Sequence, residues 1–528
     1  GIRDQPRSRG LGDVYKRQLL LGIFGGCTRS EVLIPVQLSK TVTPVFIGKT
    51  ENPVLHIEID NPTEQEIELN KLVLSAEGTT NPEAVERINV FFTGLSEKFN
   101  PVVLFGRTQQ IISHSEFEGH QILKPGKNHF WVAIELSDQA KLTDRINMQC
   151  VEVLFADARA KISTPFPLLP SAVGQAVRKR GDDGVHTYRI PGLVCTPKGT
   201  LIAVYDMRHN NSLDLQEDID VGVSRSVDGG RTWLPMQKAI DRGQWGERPE
   251  KENGVGDPAI LVDSETGRIW IAALWLHGKP GKRAWWASQP GITPDKTGQL
   301  LLTYSDDEGE TWAEPINITS QVKNPEWYLC FNGPGMGITT KTGTLVFAAQ
   351  FKDKNQIPHS TILYSKDKGK SWHMGTGARS KTTEAQVVEL EDGSLMLNMR
   401  DDRGGSRAVA VTRDWGKTWE EHSSSRSALP EPVCQASLIR IRLQDGRQGL
   451  AFFNPADTLN RTHSTLKLSL DEGKTWPEKY HRLVYEPGSY GYSCLTQITP
   501  GRLGVIYEGA GELYFQQLDL KEILAEKH

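Results

Sequence analysis

The sequence predicts an all-β protein: a six-bladed β-propeller preceded by a smaller β-sandwich domain. Three observations lead there. The pattern Ser/Thr-x-Asp-x-Gly-x-Thr/Ser-Trp, an Asp box, occurs five times, over Ser226 to Trp233, Ser305 to Trp312, Ser365 to Trp372, Thr412 to Trp419 and Ser469 to Trp476. Successive boxes start 79, 60, 47 and 57 residues apart, the period of a small repeated unit. Between them recur short β-rich runs such as Thr200-Leu-Ile-Ala-Val-Tyr205, Arg268-Ile-Trp-Ile-Ala-Ala273 and Thr344-Leu-Val-Phe-Ala-Ala349, which read as propeller strands.

In chain order, residues 1–30 are set apart from the fold. Gly1 opens the chain and the first methionine is Met148, so residues near 1–18 read as a remnant of gene assembly. The stretch Lys16-Arg17-Gln18-Leu-Leu-Leu-Gly-Ile-Phe-Gly-Gly-Cys27 has a positive flank, a short apolar run and small residues before a cysteine. It reads as the end of an export signal, with Cys27 as the candidate for a lipid anchor. The expected destination is outside the cytoplasm: periplasmic, cell-surface or secreted. No segment has the ~20 apolar residues needed for an integral membrane span.

Residues 31–170 form the predicted N-terminal domain. The runs Val54-Leu-His-Ile-Glu-Ile59, Arg87-Ile-Asn-Val-Phe-Phe92, His129-Phe-Trp-Val-Ala-Ile134 and Val151-Glu-Val-Leu-Phe155 are broken by Asn-Pro, Gly-Lys and Pro-Gly, which suggests a β-sandwich. It either binds carbohydrate or packs against the propeller. Pro165-Phe-Pro-Leu-Leu-Pro170 is the expected linker. Residues 171–528 are the expected propeller, long enough for six blades at roughly 50 to 60 residues each. In each box, Asp and Gly suit a tight turn and the closing Trp can pack beneath it. The boxes identify a fold and carry no chemistry.

Composition narrows the partners. At 528 residues the chain exceeds one ordinary core. A net charge of −4 and a pI near 6.4 give no global attraction to nucleic acid or an anionic membrane. Cys150, Cys195, Cys330, Cys434 and Cys494 show no metal-ligand spacing and read as small buried side chains. No metal and no cofactor are expected.

Three distant arginines carry the functional signal: Arg189 in Tyr-Arg-Ile-Pro, Arg407 in Gly-Gly-Ser-Arg-Ala-Val-Ala and Arg461 in Asn-Pro-Ala-Asp-Thr-Leu-Asn-Arg. Guanidinium stays charged and offers a fixed fork of donors to a carboxylate. Together with the Asp boxes, these motifs resemble the bacterial exo-α-sialidases (neuraminidases) of the Asp-box, Arg-Ile-Pro type, over about residues 172 to 520. Sialic acid carries the carboxylate that most sugars lack. The resemblance makes Arg189, Arg407 and Arg461 the trio that binds it.

The same resemblance implies the remaining roles. Its Tyr-Ser motif falls on Tyr492-Ser493, making Tyr492 the nucleophile and Tyr490 the second candidate. A neutral phenol avoids the repulsion that a carboxylate nucleophile would meet at an anomeric carbon bearing a carboxylate. It needs a base beside it, and Glu384 in Thr382-Thr-Glu-Ala-Gln matches the family's glutamate, with Thr383 where Asn is common. Asp214 matches the acid/base, 25 residues beyond Arg189 and six beyond Arg208. Asp218 and Asp220 nearby read as solvated loop carboxylates. Arg208 is expected to assist the carboxylate site, and Asp257 in Gly-Val-Gly-Asp-Pro to face the ring substituents. The implied activity is retaining hydrolysis of terminal sialic acids from sialylated glycans. The alternatives are a trans-sialidase, an intramolecular trans-sialidase and a non-catalytic glycan-binding propeller.

Overall fold

Residues 32–109, 114–165 and 167–525 are described by the computed structural model. The predicted assembly remnant, export signal and Cys27 anchor lie outside them. In the N-terminal domain nine strands form one sheet, ordered Leu104–Thr108, Val85–Gly94, Gly126–Leu136, Asn52–Asn61, Val32–Ser39, Ala158–Ser163, Gln149–Phe155, Ile67–Ser75 and His114–Leu123. Strict alternation turns Phe130, Val132 and Ile134 into the core. The sheet folds over into a sandwich, and its two edge strands meet. A Cβ at Gly119 would lie 2.8 Å from the Phe105 ring, and one at Gly106 would lie 3.0 Å from Phe117.

Six four-stranded blades follow. Their inner strands are Thr187–Cys195, Val255–Val262, Leu329–Asn332 continued by Ile338–Thr339, Thr382–Glu389, Ser437–Arg442 and Ser493–Thr499. The last blade is closed by the strand that enters the domain: Ser171–Arg178 pairs antiparallel with Leu513–Asp519. This explains five boxes on six blades. Every box joins the third and fourth strands of a blade, and in the closing blade the fourth strand comes from the other end of the propeller chain.

The five boxes share one geometry. In the first, Ser226 Oγ lies 2.8 Å from Asp228 Oδ1, Gly230 N–H donates to Ser226 Oγ at 2.8 Å, and Thr232 donates N–H and hydroxyl to the two carboxylate oxygens at 2.9 and 2.6 Å. The box glycine also touches the preceding blade. Gly369 has φ 86°, and a Cβ there would sit 2.3 Å from the Trp270 ring. Boxes occupy the rim opposite the starts of the inner strands. That leaves the second-to-third-strand loops and the inner-strand starts to share the other rim.

The domains are joined by more than the linker. Val45–Ile47, from the N-terminal segment, pairs in parallel with Val173–Gln175 of the ring-closing strand. Arg145–Ile146 pairs with the start of the same strand. One continuous core runs from Ile34 and Phe130 of the sandwich to Tyr205 and Phe515 of the propeller. The five described cysteines are free, four of them buried. Among the described residues no helix is long and apolar enough to cross a membrane.

Candidate active site

Three inner strands begin with a β-bulge, and each bulge carries one of the predicted residues. Pairing shifts between Arg189 and Gly192, between Gly256 and Ala259, and between Thr382 and Ala385. Bulges re-aim side chains that a regular pleat would bury in the sheet. Here they bring Arg189, Asp257 and Glu384 to one rim. Two of them are built alike, with a left-handed residue before a proline: Ile190 at φ 57° before Pro191, and Asp257 at φ 54° before Pro258. Such a conformation costs about 1–2 kcal/mol, and charge-assisted bonds offset it. Ile190 N–H donates to Glu508 Oε1 at 2.9 Å, and Asp257 N–H to Asp206 Oδ1 at 2.8 Å.

Tyr492 and Glu384 form a hydrogen-bonded pair at the centre of this rim. The Tyr492 hydroxyl donates to Glu384 Oε1. Arg400 Nη1 donates to Glu384 Oε2 at 2.7 Å and to the tyrosine oxygen at 3.1 Å. Burial first, then the negative Glu384, pushes the Tyr492 phenol well above its ordinary value. The hydroxyl is therefore neutral until a base removes its proton. Glu384 is placed to do so, and Arg400 to hold the phenolate that forms.

Arg189 borders this pair. Its guanidinium lies over the rings of Tyr490 and Tyr492, 4.5 and 5.1 Å from their centres. Its Nε donates to the fully buried Glu508 at 3.1 Å. Glu508 Oε2 accepts Tyr492 N–H at 2.8 Å, so one carboxylate sets both residues. Among the described residues nothing accepts from the buried Nη2 of Arg189 or from Nε of Arg400.

Asp214 sits on the loop after Leu201–Arg208 and accepts from Arg208 Nη1 at 2.8 Å, with Arg189 Nη1 at 3.6 Å. Against partial desolvation of this half-exposed side chain, which would raise it, Arg208 and Arg189 hold its carboxyl below the usual range. Arg208 spends its other donors on Asp206, at 2.8 and 3.1 Å, and on Ser212 O at 2.7 Å. It fixes the loop as well as Asp214. Asp257 differs: burial, then the carboxylates of Asp206, Asp214 and Glu384, pushes it well above the carboxylate range. Asp220 is bound by Lys238 at 2.7 Å and His209 at 3.1 Å and faces away from the pocket, bracing the loop.

One arginine of the predicted trio is elsewhere. Arg407 is 1% exposed, and each guanidinium nitrogen is engaged: Nε and Nη2 by Asn398, and Nη1 by Glu431 and the Cys434 carbonyl, at 2.7 to 3.1 Å. It does not reach the pocket. Arg400, seven residues earlier, occupies the position expected of it. Arg461 does arrive, 5.7 Å over the Tyr492 ring, held by the carbonyls of Tyr490 at 2.8 Å and Val433 at 3.2 Å. The cavity of about 280 Å³ is lined by Asp214, Asp257, Glu384, Arg400 and Tyr492, with an apolar wall from Leu274, Trp285, Trp286 and Phe331. A larger cleft of about 370 Å³ lies between the domains, away from these groups.

Comparison with known proteins agrees with this architecture. Residues 34–158 match the N-terminal domain of BNR-repeat neuraminidase, and residues 199–505 match the BNR repeat-like domain. The chain is 48% identical over 412 residues to a sialidase of Bacteroides fragilis, covering 77% of this chain and 76% of that protein. A sialidase of Micromonospora viridifaciens is 34% identical over 359 residues, covering 65% of this chain and 53% of its own length. Among solved structures, the Hadza microbial sialidase Hz136 superposes with a TM-score of 0.88 at 41% identity, over 92% of this chain and 100% of that one. The chain belongs to the BNR-repeat neuraminidases, the sialidase class of glycoside hydrolases.

Proposed function

We propose that the enzyme is a retaining exo-α-sialidase that releases terminal sialic acids from glycoproteins, glycolipids and oligosaccharides through a covalent bond to Tyr492. The observation that carries this reading is the bond from the Tyr492 hydroxyl to Glu384, with Arg400 on both. A glycan-binding module has no use for a tyrosine whose proton already points at a half-buried carboxylate. In this reading Arg189, Arg400 and Arg461, which converge around the Tyr492 ring and hydroxyl, grip the substrate carboxylate.

Tyr492 oxygen attacks the anomeric carbon while Glu384 takes its proton, and Asp214 protonates the departing glycosidic oxygen. Asp214 then accepts a proton from water, which attacks the same carbon. The Tyr492 bond breaks and Glu384 returns the proton to the phenolate. Asp214 begins ionised beside two arginines. A bound carboxylate draws on Arg189 and adds negative charge nearby, and both effects raise the proton affinity of Asp214 toward that of an acid.

Product analysis tests the reading. Proton NMR of the first sugar released should show the α-anomer of sialic acid. A β-anomer released first would remove the covalent tyrosine. Transfer to an added acceptor would support a trans-sialidase, and an anhydro product the intramolecular enzyme. Export belongs to the same proposal. Labelling of Cys27 by a fatty acid in the producing cell would support the anchor, and its absence with enzyme in the medium would support secretion.

A further inference from the structure

We propose that Arg407 is a positioning residue that fixes the spacing of two site arginines, Arg400 and Arg461. The inference rests on the reading above, in which those two share one carboxylate. On one side, Arg407 Nε donates to the Asn398 side chain at 2.7 Å and Nη2 to the Asn398 carbonyl at 3.1 Å. Asn398 stands two residues before Arg400 in the strand Leu395–Asp401. On the other side, Nη1 donates to the Cys434 carbonyl at 2.7 Å. The neighbouring carbonyl, of Val433, accepts from Arg461 Nη2 at 3.2 Å.

Glu431 ties the two sides together. Its Oε2 pairs with Arg407 at 2.7 Å and its Oε1 accepts Asp401 N–H at 2.8 Å, one residue beyond Arg400. Val433 holds a left-handed φ of 53°, which a β-branched residue adopts only when its surroundings impose it. Arg407 supplies that constraint from the next residue. Both partners of the ion pair are 1% exposed. Such a pair is weak evidence for stability, because apolar residues of similar volume often do as well. What apolar residues cannot supply is four directed bonds from one rigid plane.

The test compares an unsaturated sialic acid analogue with its neutral carboxamide as ligands, using Arg407→Lys and the charge-free pair Arg407→Met with Glu431→Met. A shift of about an ångström at a binding group can cost on the order of 100-fold. The expected result is a folded variant that binds the acid at least tenfold more weakly while amide binding changes little, with KM rising more than kcat falls. In an Arg461→Ala background the same change should cost less than in wild type, because only Arg400 is left to misplace. A folded variant that keeps the wild-type preference for the acid, or whose loss adds fully to that of Arg461→Ala, overturns the proposal. So does failure of both variants to fold, which would make the pair a folding requirement. Wild type binding acid and amide alike would overturn the underlying reading, and the proposal with it.

Discussion

In the proposed mechanism Tyr492 attacks only if its proton leaves as the new bond forms, because burial and Glu384 hold the phenol far from ionisation. Tyr492→Phe should therefore abolish turnover while sialoside binding and melting temperature stay near wild type; Tyr490→Phe should remain active. The reverse result, by kinetics on an aryl sialoside, would exchange the two tyrosines. Asp214→Ala should slow natural sialosides far more than aryl sialosides, whose phenolates depart with little protonation; equal losses would take the acid role from Asp214. Most of these residues were legible from motifs, and the exception is instructive. Arg400 and Arg407 both lie beyond Glu384, and motif context pointed to the second. Folding the hairpin about its Glu391–Gly393 turn pairs Thr382 with Asp401 and Ala385 with Met399, which sets Arg400 across from Glu384. That register was available in the sequence. Glu508 was not: it is a single acid at the end of an apolar strand, and only the closure of the ring brings it to Arg189.

The boxes show how a repeated element can be legible while its consequence is not. Five turns were predicted and five are present, but their glycines pack on the preceding blade, a contact no local pattern contains. The box carboxylates also link the fold to pH. Asp367 is pulled down to about 2 by the Ser371 hydroxyl and N–H against slight burial, and Asp414 to about 2 by the Thr418 N–H and hydroxyl. A carboxyl whose folded pKa lies below its ordinary 3.8 contributes stability that is complete above that value and is lost as pH falls toward 2. Thermal unfolding followed from pH 6 downward should thus show this loss beginning near about 4. Asp367→Asn should melt earlier at neutral pH, with the gap to wild type narrowing as pH falls. A gap independent of pH would mean that the charge is not what the turn uses. The bulges belong to the same scale: Ile190-Pro191 and Asp257-Pro258 interrupt two apolar strands, and the interruption is what aims Arg189 and Asp257.

At the scale of the molecule, the sequence divides where a proline-rich stretch stands, and the structure bridges that division. Phe46 belongs by position to the N-terminal domain, yet it is 2% exposed within the propeller, stacked on Tyr514 at 3.9 Å between ring centres. Lys49 follows it onto Glu512 at 3.0 Å, and Arg145 reaches Glu522 at 2.7 Å. Linker composition reports where the chain is extended and says nothing of strands that cross back, so this joint was invisible beforehand. Two domains that share a sheet and a core should unfold together, in one calorimetric transition. Phe46→Ala removes a stacked ring from a closed core and should cost about 3–5 kcal/mol, seen as an earlier loss of activity and of sandwich fluorescence at the same denaturant concentration. Phe46 lies beyond the outermost strand of the closing blade, so kcat/KM at 25 °C should change by less than about twofold, as expected for a site remote from the chemistry. Two separate transitions in the wild type, with only the first moved by Phe46→Ala, would mean that the propeller stands without its partner.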